Sequence, residues 1–212
     1  MRYTVFGATG GTGRQLVRQA LDAGHEVTAV VRDPRRLPDR ERAGLRIVVA
    51  DITDPAALRP AVAGHDAALS ALGAPNNKAA GIASAGTRAI LRALDTEGVR
   101  RFVAVSATPV GPPPEGEGVL YRRVVLPLVR RAFREVYADL AVMEDEIRAA
   151  GAEWTVVRPP RLTDRPLTGE YRTRIGGAVP GGLTVGRADL AHAVLALAVD
   201  PAAVREVVGV AS

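Results

Sequence analysis

The sequence predicts a doubly wound, parallel α/β sheet with helices on both faces. Three observations carry that prediction. Short apolar runs alternate with segments of helical spacing along most of the 212 residues. The runs are apolar at successive positions, as strands buried on both faces are. The first run is closed at once by a glycine turn that opens into a helix.

Residues 2–6 form the first strand, closed by Gly7. Residues 12–23 follow with Leu16, Val17, Ala20 and Leu21 at helical spacing, and Gly24 stops the helix. Further strands are expected at 26–31, 46–50, 66–70, 101–105 and 154–158. Helices are expected at 55–63, at 79–97 and in a segment ending near Gly151. Two stretches break the rhythm. Residues 111–118, GPPPEGEG, are too rich in glycine and proline for regular structure. They are a connector or, because they follow the fifth strand, a gate over a substrate. Residues 119–136 set Leu120, Val124, Val125, Leu128, Val129 and Phe133 among five arginines, which makes an amphipathic helix bent at Pro127. It is expected to cover the sheet, with a dimer face or a lid over an anionic substrate as alternatives.

Length and composition fit a single globular domain over 1–212, with 47% hydrophobic and 24% charged residues. The chain has no cysteine, which excludes a disulfide scaffold, a thiolate metal site and a cysteine nucleophile. No apolar run approaches the roughly 18 residues of a membrane span, and the N-terminus has no basic leader before an apolar core, so a cytoplasmic protein without a membrane partner is expected. The net charge is +5, and Lys78 is the only lysine among 28 basic residues. The arginine excess is either compositional or a preference for anionic ligands. No nucleic-acid-binding signature accompanies it, so no nucleic-acid partner is expected.

The turn Gly7-Ala8-Thr9-Gly10-Gly11-Thr12-Gly13 has the spacing G-x-x-G-x-x-G between a strand and a helix. Glycines there let the backbone approach a diphosphate, and the helix start offers free N–H groups and the positive end of its dipole. The turn therefore points to a dinucleotide, with Gly7, Thr9, Gly10, Gly11, Thr12 and Gly13 around its phosphates. The end of the second strand reads Arg32-Asp33-Pro34-Arg35-Arg36. An acid there hydrogen-bonds a ribose 2′-hydroxyl, whereas arginine accommodates a 2′-phosphate. Arg32 and Arg36 favour NADPH over NADH, against the single acid Asp33. Asp51-Ile52 ends the third strand, where the aspartate either accepts from the adenine amine or caps the next turn. Leu72-Gly73 after the fourth strand lets a cofactor lie against the backbone. Ser106 after the fifth either faces the nicotinamide region or caps its loop.

A tyrosine activated by a lysine four residues on is absent. Gly7, Val125, Ala141 and Ile175 stand four residues after Tyr3, Tyr121, Tyr137 and Tyr171. His25 and His65 sit in turns and His192 in a helix, so none is a strong candidate for proton transfer, and no ligand spacing suggests a metal. Hydride transfer without a dedicated acid remains feasible for a small conjugated acceptor, such as a flavin, quinone or bilin, with solvent supplying the proton.

The chain resembles the atypical short-chain dehydrogenase/reductases of the NmrA-like NAD(P)-binding group, especially the flavin reductase/biliverdin reductase B branch. The matching pieces are GATGGTG at 7–13, VVRDP at 30–34, VVADITD at 48–54, ALGA at 71–74, VSAT at 105–108 and EWTVVRPP at 153–160. The most specific are LTDRPLTGEY at 162–171 and ADLAHAVL at 188–195. The resemblance implies a Rossmann-type fold and NADPH held by the glycine loop and Arg32. It also implies a shallow acceptor site near Ser106 and Pro159-Pro160-Arg161, built from segments 106–136 and 159–186. Arg161 stands where vertebrate flavin reductases carry histidine, and it or Ser106 would orient the acceptor. A monomer or homodimer is expected. The alternative is an NAD(P)-sensing protein that turns nothing over.

Overall fold

Alternation along each strand sends side chains to two faces, and both faces are apolar. In β1 (Arg2–Phe6), Tyr3 and Val5 enter one core and Phe6 the other. In β5 (Arg101–Val105), Val103 and Val105 divide from Phe102 and Ala104 in the same way. A sheet with two dry faces needs helices on both. The computed structural model describes residues 1–73, 81–113, 118 and 121–212. Ala74 of the ALGA piece, Lys78, residues 114–117 of the glycine-proline stretch and residues 119–120 of the expected amphipathic helix lie outside the described residues.

The remaining strands are β2 (Glu26–Val31), β3 (Leu45–Val49), β4 (Ala67–Ser70), β6 (Glu153–Arg158), β7 (Arg161–Thr163), β8 (Arg172–Ile175), β9 (Thr184–Gly186) and β10 (Glu206–Ala211). The helices are α1 (Gly11–Asp22), α2 (Pro55–Val62), α3 (Ile82–Glu97), α4 (Leu126–Ala132), α5 (Arg134–Ala149) and α6 (Arg187–Val199). The main sheet runs β3-β2-β1-β4-β5-β6-β10-β8, parallel except for β8 against β10. A second, parallel pair joins β7 to β9. Helices α1 and α6 cover one face through Leu16, Ala20, Leu190 and Val194. Helices α2, α3 and α5 cover the other through Leu58, Ile90, Met143 and Ile147. The order reverses between β1 and β4, so the crevice of this doubly wound sheet opens at the carboxyl ends of those strands.

The starts of α2 and α3 are satisfied by carboxylates, one local and one distant. Asp54 accepts from the Ala56 N–H and Pro55 opens α2, a pairing of cap and proline that stops and starts chain direction cleanly. The start of α3 is capped from another helix, by Asp139 of α5, which accepts from the Ala83 and Ser84 N–H groups at 3.0 and 3.1 Å. The carbonyls of Leu197 and Ala198, at the end of α6, accept from the buried Arg101 guanidinium of β5.

The amphipathic helix expected over 119–136 is corrected. The chain makes a π turn at Tyr121–Val125 and then α4, with Pro127 in the first turn of α4 rather than at a mid-helix bend. The break falls at Phe133 (φ −118°, ψ 30°), and α5 begins one residue later. Among the described side chains, Val124, Val125, Leu128 and Phe133 are exposed and only Leu126 is buried, so this segment does not cover the sheet. Proline lacks the N–H that an interior turn requires but suits a helix start, which is why it sets a beginning.

Candidate functional site

Parallel pairing places the carboxyl ends of β1 to β6 and of β10 on one rim. Phe6 of β1 pairs with Val30 and Ser70, Ser70 with Ala104, and Val105 with Val157. The rim therefore gathers Gly7 to Gly13, Arg32, Asp51, Leu72, Gly73, Ser106 and Pro159. A cleft between α3 and α5, lined by Leu91, Gly98 and Gly151 among others, lies at the opposite, amino ends of β5 and β6.

The three spaced glycines do different work. Gly7 has φ +74°, and a Cβ there would lie 2.6 Å from the Ala71 carbonyl oxygen. Gly10 is exposed and donates its N–H to the Gly7 carbonyl at 2.9 Å. A Cβ on Gly13 would overlap that same carbonyl. The turn is thereby pulled tight, with Gly10 bare toward solvent. Thr12 is buried in the first turn of α1, and Thr9 is half-buried. No side chain caps α1 and no acid stands in its first turn. A bare, tight backbone with an uncapped helix start fits the diphosphate of a dinucleotide.

Beyond β2, Asp33 is already engaged. It accepts from the Arg35 N–H and from Arg35 Nε at 3.0 Å, with Nη2 at 3.2 Å, and caps the short 3₁₀ turn Pro34–Arg36. The Arg35 hydrogen bonds hold its carboxyl below the usual range. Arg32 and Arg36 are exposed, and among the described residues their side chains form no ion pair. Of the two readings of Asp51, the structure realises the turn cap: its Oδ1 accepts from the Thr53 N–H at 2.9 Å and hydroxyl at 2.8 Å, which lowers its pKa. Among the described residues its second oxygen accepts no such bond. Ile52 and Leu72 meet over Gly86 of α3, where a Cβ would lie 3.1 and 3.0 Å from them. They make an apolar floor beside the exposed Gly73. Sequence reading missed Gly86, whose role is visible only across three elements.

Ser106 is buried, and its hydroxyl donates to Glu144 Oε1 at 2.7 Å. Glu144, from α5, also accepts from Arg158 at the end of β6 and from Arg148. Burial pushes this carboxyl up, but the Arg158 and Ser106 hydrogen bonds and the Arg158 and Arg148 charges outweigh it, and its pKa falls below the ordinary value. With its proton committed to Glu144, the Ser106 hydroxyl is not placed to act as an acid. Arg161 is exposed at the start of β7, two residues beyond the buried Pro159, whose carbonyl accepts from Thr108 N–H at 2.8 Å. Arg130 of α4 donates to the Pro109 and Gly111 carbonyls and so anchors the segment after β5.

The narrow motif at 162–171 owes its shape to Asp189 in the first turn of α6. That buried carboxylate accepts from the Thr168 and Gly169 N–H groups, both at 2.9 Å, and from the Thr168 hydroxyl at 3.0 Å. The Tyr171 hydroxyl and His192 Nδ1 lie 2.7 Å apart. Sequence reading also missed Glu144 and Arg187; the signals for Arg187 were a fourth glycine in the turn and its place just before ADLAHAVL. Among the described residues no cluster of side chains could hold a metal.

A model of the NAD(P)H-binding family matches residues 7–201. The photosystem II assembly factor Ycf39 of Synechocystis is 37% identical over 109 residues, covering 50% of this chain and 33% of that protein. A 3-diazoavenalumate denitrifying reductase from Streptomyces is 38% identical over 131 residues, 53% of this chain and 41% of the enzyme. The aligned parts thus span well under two thirds of these relatives. Among solved structures, the anaerobilin reductase ChuY of Escherichia coli O157:H7 superposes with a TM-score of 0.81 at 20% identity, over 100% of this chain and 97% of that one. That likeness confirms the expected Rossmann-type fold.

Proposed function

We propose that this chain, which belongs to the NAD(P)H-binding family, is an NADPH-dependent reductase that passes hydride to a flavin, quinone or similar conjugated acceptor. The observation that carries the reading is the division of charge beyond β2. Arg35 occupies Asp33, and among the described residues Arg32 and Arg36 form no ion pair beside a turn built for a diphosphate. Free guanidiniums suit a 2′-phosphate, whereas a free carboxylate would suit a ribose hydroxyl. The bound nucleotide supplies the hydride. The residues of the turn hold its diphosphate, Asp51 and the Ile52–Leu72 floor border its adenosine half, and Pro159 with Arg161 borders the acceptor. Arg161 orients an acceptor that carries an anionic or carbonyl group.

No Tyr-x-x-x-Lys pair is present, and the Ser106 proton is held by Glu144. Both support an acceptor that delocalises the incoming electron pair and takes its proton from water. Alignment of donor and acceptor is then the protein's main contribution. Anaerobic mixing with NADPH and a panel of flavins, quinones and linear tetrapyrroles tests the reading. Oxidation of NADPH by at least one class supports it, and binding without oxidation by any of them overturns it. That second outcome favours a nucleotide-sensing protein, a reading supported by the exposed apolar side chains of Val124, Val125 and Leu128, which suit a protein partner.

A further inference from the structure

The turn holds four glycines, and the G-x-x-G-x-x-G spacing explains three. Gly7 needs its left-handed backbone, Gly10 its bare surface and Gly13 its contact with the Gly7 carbonyl. Gly11 needs none of these. It is the first residue of α1 and has no positive φ, and alanine is the better helix former there. What a side chain at 11 would meet is Arg187: a Cβ would lie 2.6 Å from Arg187 Cδ and 2.8 Å from Nε. The fourth glycine is the gap through which the Arg187 side chain crosses the start of α1.

Arg187 opens α6, directly after β9. Its Nη1 donates to Asp164 Oδ1 at 2.6 Å, and the Asp164 side chain is 88% exposed. A pair with so exposed a carboxylate contributes little stability. A cation is also misplaced against the N-terminus of α1, where the dipole is positive and no acid stands in that helix's first turn. An anion lying between the helix start and the guanidinium removes that conflict. The anion that this family places against the glycine turn is the nucleotide diphosphate.

We propose that Arg187 clamps the diphosphate of the bound dinucleotide from the side facing the glycine backbone, and that Asp164 competes with the diphosphate for the same guanidinium. The proposal rests on nucleotide binding alone, not on the acceptor. The planar fork of arginine suits adjacent phosphate oxygens. Asp164 follows β7, so the clamp also links the diphosphate to the segment that borders the acceptor.

Calorimetric titration with NADPH and with NADH, with no acceptor present, tests the clamp. Arg187→Ala weakens both nucleotides by the same factor, about tenfold, as the loss of one charged hydrogen bond predicts. Arg32→Ala, by contrast, weakens NADPH alone. Gly11→Ala weakens both nucleotides by displacing Arg187, and adding it to Arg187→Ala brings no further loss. Asp164→Asn, an exposed change that leaves the fold intact, tightens both nucleotides severalfold. Wild-type affinity in Arg187→Ala, a loss confined to NADPH, fully additive losses in the Gly11/Arg187 pair, or unchanged or weaker binding in Asp164→Asn overturns the clamp. A failure of the acceptor reading appears only in turnover and leaves these titrations untouched.

Discussion

Arg35 decides what its neighbours are free to do. By holding both oxygens of Asp33 it removes the one acid that would favour an unphosphorylated ribose, and it leaves Arg32 and Arg36 without ion pairs among the described residues. Arg32→Ala therefore weakens NADPH about tenfold or more and leaves NADH nearly unchanged; paired fluorescence titrations of the two nucleotides check it, and equal losses contradict it. Arg35→Ala acts in the opposite sense. It frees Asp33 to accept from a ribose hydroxyl, so the ratio of NADPH to NADH affinity narrows, chiefly through a gain for NADH. A drop in both affinities by one factor would show that Arg35 itself touches the nucleotide. The competition among these side chains was visible in the sequence as Arg-Asp-Pro-Arg-Arg, but its resolution was not. Only the 3₁₀ turn, set by Pro34 and capped by Asp33, brings Arg35 back onto the carboxylate.

At the scale of elements, what the sequence disclosed and what it hid divide by distance along the chain. Strands expected at 2–6, 26–31 and 101–105 match β1, β2 and β5 at both ends, those at 46–50, 66–70 and 154–158 shift by a residue, and β7 to β10 were not foreseen. Apolar runs are local, and burial on both faces leaves little else for them to be. The helix at 119–136 failed because its apolar spacing said nothing of what it would pack against. Other features rest on partners far away in sequence. Asp139 caps α3 from 56 residues off, and Arg101 reaches the end of α6 across 97. Asp189 was visible within its motif, but not as the residue that fixes Thr168 and Gly169. Asp189→Ala leaves two backbone N–H groups without their acceptor and costs about 1–3 kcal/mol. It also loosens the segment around 168–169, which limited proteolysis reads as new cleavage between β7 and β8. Asp189→Asn keeps an acceptor oxygen and restores most of the protection. Cleavage unchanged in Asp189→Ala would mean that other contacts hold that loop.

At the scale of the whole molecule, a buried charge cluster keys β5, β6 and α5 together beneath the rim. Glu144 comes from α5, Ser106 from the end of β5 and Arg158 from the end of β6, while Arg148 adds a second cation from the next turn of α5. The packing is close enough that a Cβ on Gly111 would overlap the Arg158 guanidinium, which explains a glycine at the start of the segment after β5. The cluster sets how β5, β6 and α5 meet under the side of the rim proposed to take the acceptor. Removing one partner strands a buried guanidinium, so Glu144→Gln costs about 3 kcal/mol near neutral pH. Its pH dependence follows from the direction of the Glu144 shift. The folded carboxyl titrates below the ordinary 4.5, so the unfolded chain binds the proton first. The stability that Glu144 contributes is fully present above that ordinary value and drains away as pH falls through the lower, folded one. Urea melts of wild type and Glu144→Gln at a series of pH values should therefore show a constant gap above about pH 5.5 that closes steadily on acidification. A gap that stays level, or widens in acid, would mean that the carboxylate is not the charge that holds Arg158 in place, and that this part of the rim depends on packing alone.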